Sequence, residues 1–229
     1  MINEIKILLT RFRFARWLAN LKNGTLHMLR HGYRPREFWD QWADQFSHHH
    51  YQRELHESNL WLLDRLRETR PSEVLEVGCG FGRNLRMLRD GLGYPCRLTG
   101  VDLSLQLLRK GREELGLVIP FVCGDIGCLP LRDRAFETVV THGVLMHVPP
   151  AEVRGALREL VRVTGKTLWV IEEQVLMASA RGMSFSINEY TFAHDYPALF
   201  EEMGLRPTRT DYQGKAVALV LMQVDRPPG

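Results

Sequence analysis

Residues Val74 to Gly82 read Val-Leu-Glu-Val-Gly-Cys-Gly-Phe-Gly, an apolar, β-branched run that carries one carboxylate, Glu76, into glycines at alternate positions. Glycine at Gly78, Gly80 and Gly82 lets a backbone turn sharply with no side chain in the way. A bulky anionic or zwitterionic molecule can then lie directly on the main chain. A dinucleotide fingerprint is G-x-G-x-x-G, because a pyrophosphate must sit on the N-terminus of the following helix. Here the third glycine falls one residue early, giving G-x-G-x-G, and Glu76 stands two residues before the first. A carboxylate at that place repels a pyrophosphate but can orient an ammonium group through hydrogen bonds or a water. Taken alone, the three glycines also fit a plain tight turn.

Asp102 follows the loop by about twenty residues, at the expected tip of a second strand, where its carboxylate can accept hydrogen bonds from both hydroxyls of a ribose. Gly124-Asp125-Ile126 follows a third apolar run, and His142-Gly143-Val144-Leu145-Met146-His147-Val148-Pro149 follows a fourth. This order and spacing resemble the small-molecule members of the class I S-adenosylmethionine-dependent methyltransferases, over roughly Glu54 to Val224. In that resemblance Glu76, Gly78, Cys79, Gly80 and Gly82 hold the methionine part of the cofactor. Asp102 takes the ribose, while Asp125 meets the adenine amino group and Ile126 packs on the ring. Leu103, Thr141 and Tyr51 complete the expected cofactor set. No Asn/Asp-Pro-Pro-Tyr signature is present, because Thr141-His142-Gly143-Val144 occupies its place, which favours a small-molecule acceptor over DNA or protein amide groups.

The resemblance implies transfer of a methyl group from S-adenosyl-L-methionine to an oxygen, nitrogen or carbon nucleophile. The sulfonium is intrinsically reactive, so alignment and exclusion of water are the main demands on the protein. A base is needed only for an acceptor protonated at working pH. His142, His147 and His194 are the candidates, with Glu172 behind them, and a structural role is the alternative for each. Three competing classes make different demands. An RNA methyltransferase would grip phosphates with a basic N-terminal arm and lose binding as salt rises; a nicotinamide oxidoreductase would bind NAD; a non-catalytic sensor would bind S-adenosylmethionine without turnover.

The elements that must position these residues are an alternation of strands and helices. Leu55, Leu60, Leu63 and Leu66 recur at near-helical spacing over Glu54 to Arg67, and Pro71 marks the boundary before the first strand, Val74 onward. Further strands are expected at Arg97–Val101, Ile119–Cys123, Phe136–Thr141 and Thr167–Ile171. Helices are expected from the cap Ser104 to Leu115, from Pro149-Pro150 to Val163, and over Asp195–Met203, stopped by Gly204. Leu205–Tyr212 and Ala216–Val224 form a closing pair around Gln213-Gly214. The expected fold class is α/β: a seven-stranded Rossmann-like methyltransferase sheet with helices on both faces and an N-terminal helical extension. The expected division is residues 1–53 as extension and lid, and 54–229 as the methyltransferase domain. Trp42 and Tyr51 are the expected lid residues within the aromatic series Phe38, Trp39, Trp42, Phe46 and Tyr51. The connection from Glu172 to His194, rich in Met177, Met183, Phe185, Ile187, Tyr190 and Phe192, is expected to cover the methyl donor.

The chain has 229 residues, 45% of them hydrophobic, enough for one full core, and a formal net charge of only +3 gives no general argument for nucleic acid. Cys79, Cys96, Cys123 and Cys128 lack paired C-x-x-C spacing, so zinc is not expected; reduced, buried thiols in a cytoplasmic compartment are. His48, His49 and His50 are consecutive and fit a solvated turn; no metal site is expected. No apolar run approaches the length of a membrane span. Near the N-terminus Lys6, Arg11, Arg13, Arg16, Lys22 and Arg30 accompany Ile7, Phe14, Trp17, Leu18 and Leu21 at roughly helical intervals. Such a basic amphipathic helix suits peripheral contact with anionic lipid, packing on its own domain, or homodimerisation.

Overall fold

The computed structural model describes residues 34–175, 185–188, 191–213 and 217–225. Three helices lead in: α1 (Pro35–His48), α2 (His50–Arg53) and α3 (Glu57–Thr69). The alternation then runs β1 (Glu73–Val77), α4 (Arg83–Gly91), β2 (Arg97–Asp102), α5 (Leu105–Leu115), β3 (Phe121–Cys123) and β4 (Phe136–His142). A 3₁₀ turn (Leu145–His147) and α6 (Val153–Val163) precede β5 (Thr164–Val175). The chain closes with β6 (Phe185–Asn188), β7 (Thr191–Ala193), α7 (Tyr196–Glu202), β8 (Arg209–Gln213) and β9 (Val217–Asp225).

Seven strands form one sheet in the order β3-β2-β1-β4-β5-β9-β8. The first five are mutually parallel, and β9 runs antiparallel between β5 and β8. Strand order reverses between β1 and β4, so the loops leaving those two strands part in opposite directions and open a crevice at their carboxyl ends.

Side chains alternate across a strand, and here both sets are buried. Leu75, Val77, Val139, Leu168 and Val170 face one core with Ala156, Leu157 and Leu160 of α6 and Tyr196 and Phe200 of α7. Val74, Val140, Trp169 and Ile171 face the other, with Leu62, Leu63 and Leu66 of α3 and Leu85 and Leu88 of α4. Glu76 shares the parity of Val74, and His142 that of Val140. Because Glu76 pairs with Val140 in register, both polar side chains emerge on the α3 and α4 side, at the strand ends.

Several boundaries differ from the sequence expectation. Leu55 and Leu60 are exposed, and the buried stripe of α3 is Leu62, Leu63 and Leu66 instead. Pro149 and Pro150 do not open α6; the chain passes first through the 3₁₀ turn and a second turn before Val153. β5 continues past Ile171 to Val175, because β9 pairs with it over that whole length, from Thr167↔Asp225 to Val175↔Val217. The expected connection after Glu172 is therefore strand at its start and carries the β6-β7 hairpin near its end. Met177, Met183 and Tyr190 lie outside the described residues, as does the whole basic N-terminal stretch. Cys79 is buried and Cys96 half-buried, whereas Cys123, at the end of the three-residue edge strand β3, and Cys128 are exposed.

Candidate active site

The glycine loop is pinned from beneath. Gly78 and Cys79 donate backbone hydrogen bonds to the Val101 carbonyl at 2.7 and 3.0 Å, which ties the end of β1 to the end of β2. Gly78 has φ +74°, and a Cβ there would stand 2.2 Å from Val144 Cγ2, so neither the conformation nor the space admits a side chain. Gly82 has φ +86°, and a Cβ on it would lie 2.6 Å from Leu117 Cδ1. The loop thus folds flat between the 144 segment and α5.

Asp102 ends β2 as expected, and its carboxylate organises the surrounding backbone. Gly80 N–H donates to Oδ2 at 2.7 Å and Ser104 N–H to Oδ1 at 2.8 Å. Burial pushes its pKa up to about 6, against the hydrogen bonds from Ser104 and Gly80. The Ser104 hydroxyl donates to Asp40 Oδ1 at 2.6 Å and accepts from Leu107 N–H at 3.2 Å, joining α1 to the first turn of α5. Asp125 Oδ1 accepts from Gly127 N–H at 2.8 Å.

Glu76 is 2% exposed and lies at the closed end of the crevice. Asn84 Nδ2 donates to its Oε1 at 2.6 Å, while Oε2 is buried and has no hydrogen-bond partner among the described residues. Burial raises its pKa to about 8, partly offset by Asn84 and the charge of Arg83. His142 packs into the same corner, with Nδ1 3.2 Å from Asn84 Nδ2 and Nε2 3.2 Å from Ser58 Oγ. Burial, and then the positive charge of Arg83, lower its pKa to about 3.

These residues line one cleft of about 370 Å³, within the range of small-molecule sites. Of the expected cofactor residues, Glu76, Gly78, Cys79, Gly80, Asp102, Leu103, Asp125 and Ile126 line it. Gly82 does not; it acts one step back, as the turn into α4. Thr141 is fully buried beneath the wall rather than part of it, and its hydroxyl donates to Glu172 Oε1 at 3.3 Å. The side chain of Tyr51, in α2, lies outside the described residues.

The candidate bases separate as well. His142 and His147 line the cleft. His194 does not: it is fully buried, its Nε2 donates to the Val148 carbonyl at 3.0 Å, and burial lowers its pKa to about 4. Glu172 is also fully buried, accepting from Val144 N–H at 3.0 Å and Met146 N–H at 3.2 Å. It anchors the 3₁₀ turn. Burial nonetheless lifts its pKa to about 7.

Sequence reasoning passed over Ser58, Arg83 and Asn84, which line the cleft together with Trp39 and Phe46 of the aromatic series. Trp42, the expected lid residue, is 47% exposed; α1 turns Trp39 and Phe46 inward instead, Trp39 meeting the His147 ring edge-on at 4.9 Å. A signal existed: Trp39, Ala43 and Phe46 are three to four residues apart, whereas Trp42 falls off that stripe.

A doubly wound sheet with a glycine loop after β1, acids at the ends of β2 and β3, and one cleft over the switch point defines the class I methyltransferase architecture. Residues 74–167, less than half of the chain, match the family model described as a methyltransferase domain. A malonyl-[acyl-carrier protein] O-methyltransferase from Pseudescherichia vulneris is 40% identical over 76 residues, covering 33% of this chain and 29% of that protein. The curated relatives first matched are spanned over less than half of their own length. Magnesium protoporphyrin IX methyltransferase from Synechocystis PCC 6803, crystallised with bound S-adenosylmethionine, shares the fold at 14% identity and TM-score 0.61, over 83% of this chain and 94% of that one. The 1,6-didemethyltoxoflavin-N1-methyltransferase of Burkholderia thailandensis superposes with TM-score 0.60 at 16% identity, over 85% of this chain and 91% of that one.

Proposed function

We propose that the chain transfers a methyl group from S-adenosylmethionine to an oxygen, nitrogen or carbon nucleophile of a small molecule. The observation that carries this is Glu76, whose second carboxylate oxygen is buried and unsatisfied beside a glycine loop that a Cβ would fill. A buried acceptor without a donor is costly, and a cationic donor satisfies it best. The residues present fit the cofactor from end to end: Glu76 for the ammonium, the flat loop for the chain of the amino acid, Asp102 for the ribose hydroxyls, and Asp125 with Ile126 for the adenine. The bound cofactor supplies an electrophilic methyl group on a positively charged sulfur. The protein's own part is to fix that group and to keep water out. Trp39 and Phe46 of α1 close the mouth, and the 3₁₀ turn held by Glu172 forms the opposite wall. His147 is the candidate to accept a proton from an acceptor that carries one. The malonyl-carrier and toxoflavin relatives support small acceptors as a class.

Calorimetric titration with S-adenosylmethionine, S-adenosylhomocysteine and NAD tests the reading. Micromolar binding of both sulfur ligands and none of NAD is expected, with Asp102→Ala weakening it by about tenfold or more, as for lost hydrogen bonds to a charged group. Binding of NAD alone overturns the reading.

A further inference from the structure

Ser58, Asn59, Asn84 and His142 form a chain of hydrogen bonds whose direction is set by a single backbone amide. His56 N–H donates to Asn59 Oδ1 at 2.6 Å. A backbone amide cannot reverse, so the Asn59 side-chain oxygen faces His56 and its nitrogen faces away. Asn59 Nδ2 then donates to Asn84 Oδ1 at 2.7 Å, which fixes the Asn84 amide in turn. Both hydrogens of Asn84 Nδ2 are thereby committed, one to Glu76 Oε1 at 2.6 Å and one to His142 Nδ1 at 3.2 Å. His142 Nδ1 is an acceptor. A neutral imidazole holds one ring hydrogen, which must sit on Nε2, and it is donated to Ser58 Oγ at 3.2 Å. The Ser58 hydroxyl hydrogen is left to point elsewhere. Ser58 is 7% exposed, and the free space beside it is the cleft it lines.

The relay therefore ends in two unlike groups at the same closed end of the cleft: an acceptor, Glu76 Oε2, and a donor, Ser58 O–H. An α-amino acid terminus carries the complementary pair, an ammonium and a carboxylate. Resting on the cofactor reading above, we propose that Ser58 binds the carboxylate of the cofactor's amino acid end while Glu76 binds its ammonium, with Asn84 and His142 as positioning residues. Asn84 holds Glu76 so that Oε2 faces the ligand, and His142 aims the Ser58 hydroxyl. Both remaining surroundings agree. Ser58 sits in the first turn of α3, where the helix dipole favours an anion, and Arg83 on the first residue of α4 lines the same end. His142 is removed from the list of bases, because a proton added to Nδ1 would meet the Asn84 donor head on.

The test compares two probes that share the adenosine part: S-adenosylhomocysteine, which carries the amino acid end, and 5′-methylthioadenosine, which lacks it. Each is titrated into the full chain, into Ser58→Ala and into Asn84→Leu. The wild-type chain should bind S-adenosylhomocysteine at least about tenfold more tightly than methylthioadenosine. Each substitution should lose about tenfold or more of the first affinity while leaving the second within about twofold. The methylthioadenosine affinity doubles as a check that the fold is intact. ¹⁵N NMR of the His142 ring should show the proton on Nε2 in the wild type and lose that fixed preference in Asn84→Leu. Unchanged discrimination in Ser58→Ala, or a proton on Nδ1, overturns the assignment. Binding of neither probe by the wild-type chain overturns the cofactor reading beneath it.

Discussion

Glu76 holds its carboxyl group out of water, with one oxygen hydrogen-bonded by Asn84 and the other without a partner among the described residues. Burial therefore keeps it protonated until about pH 8 in the ligand-free chain. The groups around it divide. Arg83 on α4 favours ionisation, whereas Asp102 at the end of β2 opposes it, and the Cys79 thiol, itself pushed well above the usual thiol range by burial, stays neutral; so does His142 on β4. An incoming ammonium needs the ionised form, so binding expels a proton at any pH below that value. The affinity for S-adenosylhomocysteine should accordingly fall about fivefold from pH 8 to 7 and close to tenfold from pH 7 to 6. Below that, Asp102, pushed up to about 6, steepens the loss. Methylthioadenosine has no ammonium and should show little change between pH 8 and 6. Calorimetry in buffers of different ionisation enthalpy reads the released proton directly, and Glu76→Gln should remove both the proton release and the slope in that interval.

At the scale of elements, α1 lines the cleft with Trp39 and Phe46, and we propose that it acts as a cover. Its Asp40 takes the Ser104 hydroxyl and, at 3.3 Å, the Gln106 N–H at the head of α5; its Asp44 pairs with Lys110 about one turn further along. Phe46 meets the Phe81 ring at 6.2 Å, and Ala43 packs into the same small cluster as Phe81 and Leu107. The Asp44–Lys110 pair has an exposed carboxylate and contributes little. Asp40 is the firmer tie, because it acts on the Ser104 cap beside the Asp102 carboxylate. Asp40→Ala should then loosen α1 without disturbing the sheet: amide hydrogen exchange should quicken across 35–48 while β1 and β4 keep their protection. Dissociation of S-adenosylhomocysteine, followed by stopped flow, should be faster by a few-fold, since Trp39 and Phe46 leave the mouth together. An unchanged exchange pattern in α1 counts against the cover.

Over the whole molecule, the strand order was legible in sequence because each strand is a short apolar run closed by a residue with a chemical reason to be there: Glu76 and Gly78 after β1, Asp102 after β2, Asp125 after β3. The polar corner was not, because its members come from separate elements. Asn59 and Asn84 are 25 residues apart and Ser58 and His142 are 84 apart, and only the parallel register of β1 with β4, roofed by α3, brings them together. Thr141 and His194 were misplaced for the opposite reason. Their spacing near the fourth strand and last helix is right, but strand parity sends Thr141 toward Glu172, and His194 turns to the Val148 carbonyl. The same arrangement makes the ligand a tie between distant parts: α1, the glycine loop, α5, the β3 loop and the 3₁₀ turn all line one cleft. Among the described residues no helix is long and apolar enough to cross a membrane. A ligand that binds only the folded chain, supplied at about a hundred times its dissociation constant, adds about 2.7 kcal/mol to stability. For a chain of this size that is a rise in Tm of roughly 5–10 °C. S-adenosylhomocysteine should produce that rise in one cooperative transition, and NAD at equal concentration should not. In Gly78→Ala a methyl group would enter the space Val144 occupies at 2.2 Å, in a backbone conformation that disfavours any side chain. That variant should melt lower and gain almost nothing from the ligand. A full shift in Gly78→Ala would show that the loop is not where the ligand lies.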